Sequence, residues 1–370
     1  MSTITPIVMP KWGLEMREGT VTAWLVDEGA EIAVGTPILD VETDKISNAV
    51  EAPDPGLLRR KVAQEGETLP VKALLAVLAD RSVPDAEIDA YIAGYVVPAA
   101  GEEDEEGAPA TATAQVDGLT VRYARRGLER GVPVLFLHGF GGDLDNWLFN
   151  LDALAKVAPV IALDLPGHGQ STPRLPGTTL SDLAGFVVHF LDQLDVERAH
   201  LVGHSMGGAI AARMALDQPK RVASLALIAS AGLGTEINAG YVEGFIAAAS
   251  RRELKPVVEQ LFADPALVSR RLIDDLLKYK RIDGVGEALA ALGASLFVGG
   301  RQTETPGLEL EGSGVPVLVI WGRDDRIIPA SHAGHAPPGA TVQVFDHAGH
   351  MAMMEKANEV NALLERHVAR

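Results

Sequence analysis

A serine at position 205 stands in a context that can make its hydroxyl a nucleophile. It is the third residue of GHSMGG at residues 203–208, which follows an apolar run and precedes a segment with helical spacing. A tight turn from a strand into a helix needs small residues around the serine and presents its hydroxyl above the sheet edge. The N-terminus of the following helix favours negative charge there. The pattern therefore predicts that Ser205 attacks a carbonyl carbon.

A serine nucleophile needs a general base, and the base needs a carboxylate that orients it. Two later segments carry these residue types: WGRDDRIIP at residues 321–329 and HAGH at residues 347–350. Both follow predicted strands, and the carboxyl ends of parallel strands meet at one edge of a sheet. We expect His350 to be the base, with His347 as the alternative, because His350 is farther from the strand end and follows a glycine. The acid is one of two adjacent aspartates, at positions 324 and 325.

The segment HGFGG at residues 138–142 follows another predicted strand. Its glycines allow close approach of the backbone, so the amide N–H of Phe140 can join that of Met206 in an oxyanion hole. Three more histidines are expected to support loops or to line the pocket: His138, His168 and His204. The ten histidines include no H-E-x-x-H pair or carboxylate cluster, so we expect no metal site.

A second reactive side chain, Lys45, lies at the centre of a repeat in the first 80 residues. The segments that begin at Gly19 and Gly56 resemble each other at an offset of 37 positions. Short apolar alternations between glycine and proline breaks predict small β-strands. Two similar half-sheets would bury one shared apolar layer in a flattened barrel. Because the first half must turn into the second near Lys45, we expect this lysine to be exposed at the tip of a hairpin.

Residues 115–370 alternate predicted strands with helices, which is typical of a mostly parallel sheet covered by helices. Strands are expected at 132–137, 159–165, 200–205, 224–230, 315–321 and 341–347, and two helices at 180–194 and 206–216. Residues from about 235 to 296 are mainly helical and interrupt the alternation, so we expect an inserted helical cap. Between the two regions, residues 81–114 hold a short helical segment and an acidic, alanine- and proline-rich stretch, which predicts a flexible tether.

Composition and charge exclude several classes of function. The formal net charge of −18 argues against binding to nucleic acids and to anionic membranes. The absence of cysteine excludes disulfides, thiolate metal ligands and a cysteine nucleophile. The first residues lack the features of a signal peptide, and no apolar run reaches the roughly 18 residues that span a bilayer. We therefore expect a cytoplasmic protein.

The N-terminal region resembles the lipoyl domains of 2-oxoacid dehydrogenase complexes. The segment ETDK at residues 42–45 matches their lipoylation hairpin. Biotinyl domains share this fold but usually place methionines beside the modified lysine, where this chain has Asp44 and Ile46. The resemblance therefore implies a lipoyl-binding domain over residues 1–80, with lipoate attached covalently to Lys45.

The C-terminal region resembles α/β-hydrolases, including carbon–carbon bond hydrolases and esterases, in the motifs HGFGGD, GHSMGG, WGRDD and HAGH. The family spacing G-x-x-D favours Asp325 over Asp324 as the acid of a triad with Ser205 and His350. We therefore expect a multi-domain chain, with an N-terminal all-β lipoyl/biotinyl-type flattened barrel and a C-terminal α/β-hydrolase fold with a helical cap.

The combination of both domains is similar to the acyltransferase components of acetoin dehydrogenase complexes. This resemblance implies transfer of acetyl from lipoyl-Lys45 to coenzyme A as co-substrate, through an acyl-Ser205 intermediate. It implies a homo-oligomer or larger complex, with a thiamine-diphosphate-dependent dehydrogenase component and dihydrolipoamide dehydrogenase as partners. The chain lacks the H-x-x-x-D-G motif of the usual acyltransferase domain of such complexes. Two alternatives therefore stay open: a serine hydrolase (esterase, thioesterase or carbon–carbon hydrolase) that carries a lipoyl domain, and a lipoyl carrier with an idle hydrolase domain.

Overall fold

The computed structural model of the chain describes residues 4–12, 16–43, 47–98 and 111–369. These residues form two compact units, one N-terminal and one built from most of the residues after 111. Lys45 lies outside the described residues, and so does the greater part of the predicted tether. Within the described parts of the chain, no helix combines the length and the apolar character that a bilayer crossing requires.

The described residues of the N-terminal unit form two four-stranded sheets. Their strands are β1 Ile4–Val8, β2 Glu18–Trp24, β3 Glu31–Ile32, β4 Pro37–Glu42, β5 Ser47–Glu51, β6 Gly56–Lys61, β7 Thr68–Pro70 and β8 Leu74–Ala79. One sheet has the order β1-β8-β6-β3 and the other the order β5-β4-β2-β7. The predicted repeat is visible here, because β3 and β4 begin 37 residues before β7 and β8 and take equivalent places in the opposite sheets.

One apolar layer lies between the two sheets. Val21, Leu39 and Leu58 are among the side chains that fill it, and none of these three is exposed to solvent. At Gly19 the chain packs so closely that an added Cβ would lie 2.6 Å from a methyl carbon of Val41. The facing sheets confirm the predicted all-β flattened barrel.

Helix α1, Asp85–Gly94, packs on the outer face of one sheet of this unit. Strand β8 has the sequence LLAVLA and is buried along its whole length. Leu75, Ala76 and Leu78 belong to the layer between the sheets. Leu74, Val77 and Ala79 belong to a second apolar cluster, which includes the fully buried Ile88 of α1. Arg59 pairs with Asp85 at 2.8 Å beside this contact. The helical segment after residue 80 is therefore part of the N-terminal unit, a placement that the sequence left open.

An eight-stranded sheet forms the centre of the C-terminal unit. Its strands are β9 Ala112–Val116, β10 Leu119–Gly127, β11 Val134–Leu137, β12 Pro159–Leu163, β13 Ala199–His204, β14 Val222–Ile228, β17 Val317–Gly322 and β18 Thr341–Phe345. The order is β18-β17-β14-β13-β11-β12-β10-β9, parallel from β18 to β12 and antiparallel beyond. All six strands expected from the sequence are present, and each of their ends lies within two residues of the expected position.

The antiparallel edge of the sheet was not expected. Strands β9 and β10 form a hairpin, and β9 begins at Ala112, inside the segment that the sequence predicts as a tether. The turn residues Asp117 and Gly118 both have positive φ, 51° and 73°. An Asp-Gly pair between two alternating runs favours such a two-residue hairpin, and this signal could have located the edge.

Helices flank the sheet and form the cap. They are α2 Leu151–Leu154, α3 Leu180–Gln193, α4 Met206–Asp217, α5 Ala239–Ala247, α6 Arg251–Val258, α7 Arg270–Lys280, α8 Val285–Leu296, α9 Ala352–Glu355 and α10 Ala357–Val368. Helices α5 to α8 occupy the expected cap, and a small hairpin of β15 Phe297–Val298 and β16 Arg301–Gln302 follows them. Thr179 begins α3 by exchanging hydrogen bonds with Asp182, each at 3.1 Å, which satisfies two N–H groups at the helix end.

Candidate active site

Ser205 lies on the turn between β13 and α4, with its backbone at φ 51° and ψ −119°. A residue with a side chain keeps such a conformation only where its surroundings enforce it, and this strain concentrates at functional sites. The surroundings here are tightly packed, because a Cβ added to Gly207 would lie 2.2 Å from the carbonyl oxygen of Leu137. Only glycine fits there, so α4 can begin directly after the serine and hold it on the turn.

His350 and Asp325 are joined by a hydrogen bond from Nδ1 of the histidine to Oδ2 of the aspartate at 2.8 Å. Both side chains are buried, with exposed fractions of 2% and 0%. They lie in the loops that follow β18 and β17, which are parallel neighbours. Because Nδ1 is engaged by the carboxylate, the other ring nitrogen of His350 is left to exchange a proton with a substrate or a nucleophile.

Three groups besides His350 hold the Asp325 carboxylate in place. Its Oδ1 accepts hydrogen bonds from the backbone N–H of Ile327 at 2.8 Å and of Ile328 at 3.0 Å. Its Oδ2 accepts one from the indole N–H of Trp321 at 3.1 Å. A carboxylate with this many donors has little freedom to rotate, so it fixes the orientation of the His350 ring.

The sequence analysis left a second aspartate as the possible acid and a second histidine as the possible base, and neither of these side chains is buried. Asp324 and His347 are exposed at the surface. Asp324 uses its backbone N–H to bond the carbonyl oxygen of Ala348 at 2.9 Å, and this contact joins the two loops. The geometry therefore favours Asp325 and His350 as the acid and the base.

The Ser205 turn and the His350 loop meet through His204. Its Nε2 donates to the carbonyl oxygen of His350 at 3.0 Å, and the two imidazole rings have centroids 4.6 Å apart. Burial lowers the pKa of His204 well below its ordinary value, so the ring is neutral. Within the described residues, no hydrogen bond joins the Ser205 hydroxyl to His350. Catalytic hydrogen bonds are often long in free enzymes and tighten when substrate binds.

The backbone N–H groups of Phe140 and Met206 have no acceptor in the parts of the chain that the structure describes. Met206 is the first residue of α4, where N–H groups have no partner inside the helix. The segment before Phe140 lies against the serine, because a Cβ added to Gly139 would be 3.0 Å from the Cβ of Ser205. Two unpaired donors beside the same hydroxyl are what an oxyanion hole requires.

His138 and His168 support the loop that carries Phe140. Nε2 of His138 accepts from the backbone N–H of Leu165 at 2.9 Å, and its Nδ1 donates to the carbonyl oxygen of Gly139 at 2.8 Å. Burial lowers the pKa of His138 to about 3 and that of His168 to about 4. Both rings are therefore neutral near pH 7 and act as structural supports.

Glu355, on α9, is a further residue of the site that the sequence analysis missed. Its Oε2 accepts from the backbone N–H of Gly349 at 2.7 Å, and its Oε1 accepts from that of Ala263 at 2.8 Å. Burial raises the pKa of this carboxyl. Glu355 thereby anchors the His350 loop to the cap. A lone glutamate five residues after a histidine carries no sequence signal for this role.

The described residues contain no group of three or more histidine or carboxylate side chains that could hold a metal ion. Lys45 itself lies outside them, but the strands on either side of it do not. β4 and β5 are antiparallel neighbours, and Glu42 pairs with Ser47 across them. Paired strands of this kind are compatible with presentation of a modified lysine between their ends.

Comparison with known proteins adds two family models and two full-length relatives. The model for the alpha/beta hydrolase fold matches residues 132–357, and the model for biotin-requiring enzymes matches residues 5–78. A chain from Cupriavidus necator, named dihydrolipoyllysine-residue acetyltransferase component of acetoin cleaving system, is 66% identical over 99% of this chain and 98% of its own length. A chain of the same name from Pseudomonas putida is 52% identical over 99% of this chain and 100% of its own length.

Solved structures resemble the C-terminal unit. The 2-hydroxy-6-oxo-6-phenylhexa-2,4-dienoate hydrolase from Rhodococcus sp. strain RHA1 aligns with a TM-score of 0.63 at 23% identity, over 70% of this chain and 98% of that one. This likeness shows the hydrolase fold alone. The two full-length relatives show more, because they match both domains at high identity. The chain therefore belongs to the family of dihydrolipoyllysine-residue acetyltransferase components of acetoin cleaving systems, with a lipoyl-type domain followed by an α/β-hydrolase domain.

Proposed function

We propose that this chain transfers an acetyl group from a lipoyl arm on Lys45 to coenzyme A through an acyl-Ser205 intermediate. The observation that carries the proposal is the buried hydrogen bond between His350 and Asp325, on a loop that His204 joins to the serine turn. Such a pair sets the tautomer of a general base beside a nucleophile. The names of the two full-length relatives support acetyl as the transferred group.

In the first half-reaction, the substrate is an acetyl thioester. Ser205 Oγ attacks its carbonyl carbon while Nε2 of His350 accepts the hydroxyl proton. The amides of Phe140 and Met206 stabilise the negative charge that develops on the carbonyl oxygen. A C–O bond forms, the C–S bond breaks, and His350 returns the proton to the departing sulfur. The product is acetyl-Ser205.

In the second half-reaction, His350 accepts the proton of the coenzyme A thiol, whose sulfur attacks acetyl-Ser205. A C–S bond forms, the C–O bond breaks, and the proton from His350 restores the serine hydroxyl. Water competes with the thiol for the same intermediate. The cap, which Glu355 ties to the His350 loop through Ala263, would restrict the access of water.

The lipoyl-type domain supplies the acetyl carrier in this proposal. When bound at Lys45, lipoate offers a thiol that can hold an acyl group. The names of the relatives place them in a multi-component system. We extend this to the chain: a thiamine-diphosphate-dependent dehydrogenase component would load the arm, and dihydrolipoamide dehydrogenase would reoxidise it. Intact mass before and after treatment with a lipoylating enzyme tests the attachment, with Lys45→Arg as the variant and Lys11→Arg as its control.

The decisive experiment supplies acetyl-dihydrolipoamide to the full chain, with and without coenzyme A, and measures acetyl-coenzyme A and free acetate. We expect acetyl-coenzyme A as the main product, and its loss in Ser205→Ala. His350→Ala should behave like Ser205→Ala, whereas the matched control His347→Ala should retain activity. If Ser205→Ala transferred acetyl at the wild-type rate, the hydrolase domain would be an idle part of a carrier protein.

A serine hydrolase is the second candidate, because the His350 base, oriented by Asp325, can accept a proton from water as well as from a thiol. The same assay separates the two functions by product. Acetate release that coenzyme A neither diverts nor slows would establish hydrolysis and overturn the transfer proposal. A mass increase of one acetyl group on Ser205 after a single turnover would support the intermediate that both candidates share.

A further inference from the structure

Helix α5 of the cap begins at the loop that carries Asp325. Its N-cap residue, Asn238, donates from its backbone N–H to the carbonyl oxygen of Ile327 at 2.8 Å and from its side-chain amide to that of Arg326 at 2.9 Å. These two acceptors follow Asp325 directly in the chain. The Asn238 side chain also accepts from the backbone N–H of Tyr241 at 3.1 Å, which caps the helix. The first turn of α5 is therefore fixed to the loop of the candidate acid.

The last turn of α5 packs against the loop that carries the proposed oxyanion donor Phe140. The ring of Phe245 touches Gly141 of that loop, where an added Cβ would lie 2.4 Å from a ring carbon. The rings of Phe245 and Phe140 meet edge to face, with centroids 6.1 Å apart at an angle of 66°. Lys280 of α7 holds this end of α5, since its ammonium group donates to the carbonyl oxygen of Ile246 at 3.1 Å. Helix α5 therefore joins the loop of the acid to the oxyanion loop.

The Ser205 turn lies between the loops that α5 joins. It contacts the oxyanion loop at Gly139 and the loop of the base through the bond that His204 makes. A buried side chain of α5 between its two ends therefore faces the space that the serine borders. Tyr241 is such a side chain, because it precedes Phe245 by one helical turn on the same face, and the two ring centroids are 6.0 Å apart.

The hydroxyl of Tyr241 has no hydrogen-bond partner among the residues that the structure describes, although the residue is only 5% exposed. A buried tyrosine hydroxyl usually finds a partner, because leaving it without one costs free energy. Nε2 of His168 also lacks a partner but is sealed from solvent, whereas the Tyr241 oxygen is not sealed and borders a space that a small group can reach. Burial raises the pKa of Tyr241, so the hydroxyl keeps its proton and acts as a donor. The other tyrosine of the cap, Tyr279, differs because its hydroxyl donates to the carbonyl oxygen of Gly167 at 2.8 Å.

We infer that the Tyr241 hydroxyl donates a hydrogen bond to the amide carbonyl oxygen nearest the thiol of coenzyme A, and so holds that thiol at acetyl-Ser205. The inference rests on the proposed transfer to coenzyme A and adds how the site distinguishes this acceptor from water. In coenzyme A only an ethylene group separates the sulfur from an amide, so a donor beside the serine can reach the amide while the thiol attacks. Water and simple thiols lack the amide, and the lipoyl arm has only hydrocarbon next to its sulfur atoms. The hydrogen bond orients the thiol and raises the share of acetyl-Ser205 that it captures.

The test gives the full-length chain p-nitrophenyl acetate as acetyl donor and compares two acceptor thiols. N-acetylcysteamine carries the amide in the same place as coenzyme A, whereas propanethiol has none. The ratio of thioester to free acetate reports the fate of acetyl-Ser205 alone, so it does not depend on how much of the protein is active, and Ser205→Ala gives the background of direct thiolysis. We expect Tyr241→Phe, which keeps the ring against Phe245, to lower this ratio about 3- to 10-fold for N-acetylcysteamine and for coenzyme A. The ratio for propanethiol should not change.

Tyr279→Phe is the matched control, because it removes a cap hydroxyl that already has a partner, and it should leave the ratio unchanged for both thiols. An unchanged ratio for N-acetylcysteamine in Tyr241→Phe overturns the inference, and so does an equal fall for both thiols. If Tyr241→Phe does not fold, the wild type decides: preferential capture by N-acetylcysteamine supports the inference, and equal capture by the two thiols overturns it. Acetate as the only product of the wild type with every thiol is a different result, which rejects the transfer proposal and this inference with it.

Discussion

Burial and hydrogen bonding separate the two adjacent aspartates that follow β17. The side chain of Asp325 is fully buried and accepts from two backbone amides, an indole and His350. Asp324 is exposed at the surface. An aspartate-to-asparagine change keeps the shape but removes the charge, and at the acid of a triad it leaves the base in the wrong tautomer.

We therefore expect Asp325→Asn to lower kcat for ester hydrolysis by about 10³- to 10⁴-fold. Asp324→Asn, the neighbouring control, should stay within about twofold of the wild type, because its carboxylate holds no part of the base. Steady-state kinetics with p-nitrophenyl acetate measure both. A large loss in Asp324→Asn with little loss in Asp325→Asn would reassign the acid.

The buried histidines make the stability of the C-terminal domain depend on pH. Burial lowers the pKa of His168 to about 4, whereas an unfolded histidine has a pKa of about 6.5. Between about pH 4 and pH 6.5, this histidine is mostly protonated in the unfolded state and mostly neutral in the folded state. The free energy of unfolding is therefore not reduced by this histidine above about pH 6.5, and it decreases as the pH falls from about 6.5 toward 4.

His168→Asn should remove this contribution. Between pH 7 and pH 5, the loss in free energy of unfolding should be about 2 kcal/mol smaller in the variant than in the wild type. Urea denaturation of the full chain at both pH values measures the difference, and a constant packing cost of the substitution cancels. His347→Asn is the control, since this residue is exposed and its φ of 54° suits asparagine. An equal pH effect in wild type and His168→Asn would contradict the expectation.

At the same scale, the sequence showed the reactive residue types and favoured Asp325 and His350 over their neighbours, and the hydrogen bond between these two side chains agrees with that choice. The glycines around Ser205 and the order of serine, aspartate and histidine are local patterns, so motif reasoning could find them. Glu355 is different, because its partners Gly349 and Ala263 are brought together only by the folded cap. No spacing along the chain encodes that contact.

Among the elements, helix α1 completes the lipoyl-type domain by covering an apolar surface. Strand β8 lacks the alternation of a strand that faces solvent on one side, and each of its six residues is buried. A strand with two apolar faces needs a cover on both. Without α1, the surface around Leu74, Val77 and Ala79 would be exposed to water.

Ile88→Ala should therefore destabilise the lipoyl-type domain by about 2–4 kcal/mol, because Ile88 has no solvent exposure. Calorimetry of the full chain should show a lower Tm for one transition only, that of the N-terminal domain. Val96→Ala is the matched control, since Val96 is 81% exposed and should change that Tm little. A Tm unaffected by Ile88→Ala would mean that α1 contributes no stability to the domain.

The elements also show which parts of the fold the sequence patterns could predict and which they could not. The repeat at an offset of 37 predicted both facing sheets, because each half carries the same alternation and the same breaks. The edge hairpin β9–β10 escaped notice because its first strand continues the alanine- and threonine-rich composition of the predicted tether. The sequence analysis left the place of the helical segment open, although the wholly apolar run LLAVLA could have indicated a strand that needs a cover on both faces.

For the whole molecule, the proposal makes the two domains one catalytic unit, with the carrier and the transferase site on the same chain. The stretch from Pro98 to Thr111, which precedes β9 and which the sequence predicts to be flexible, could reach roughly 40 Å if extended at about 3.1 Å per residue. A tether of this kind raises the concentration of the carrier at the site to the millimolar range at most. Transfer within one chain should then not depend on how dilute the protein is.

Complementation between two variants tests this arrangement. A chain with Ser205→Ala keeps the carrier, and a chain with Lys45→Arg keeps the transferase site, so the mixture must transfer acetyl from one chain to the other. With lipoylated protein loaded with acetyl, we expect the wild-type single-turnover rate to be independent of protein concentration, while the rate of the mixture rises linearly from micromolar values. The Lys11→Arg chain, mixed with wild type, controls for mixing. A mixture that matches the wild-type rate at every concentration would show that the acetyl group moves between chains, within an assembly of several copies.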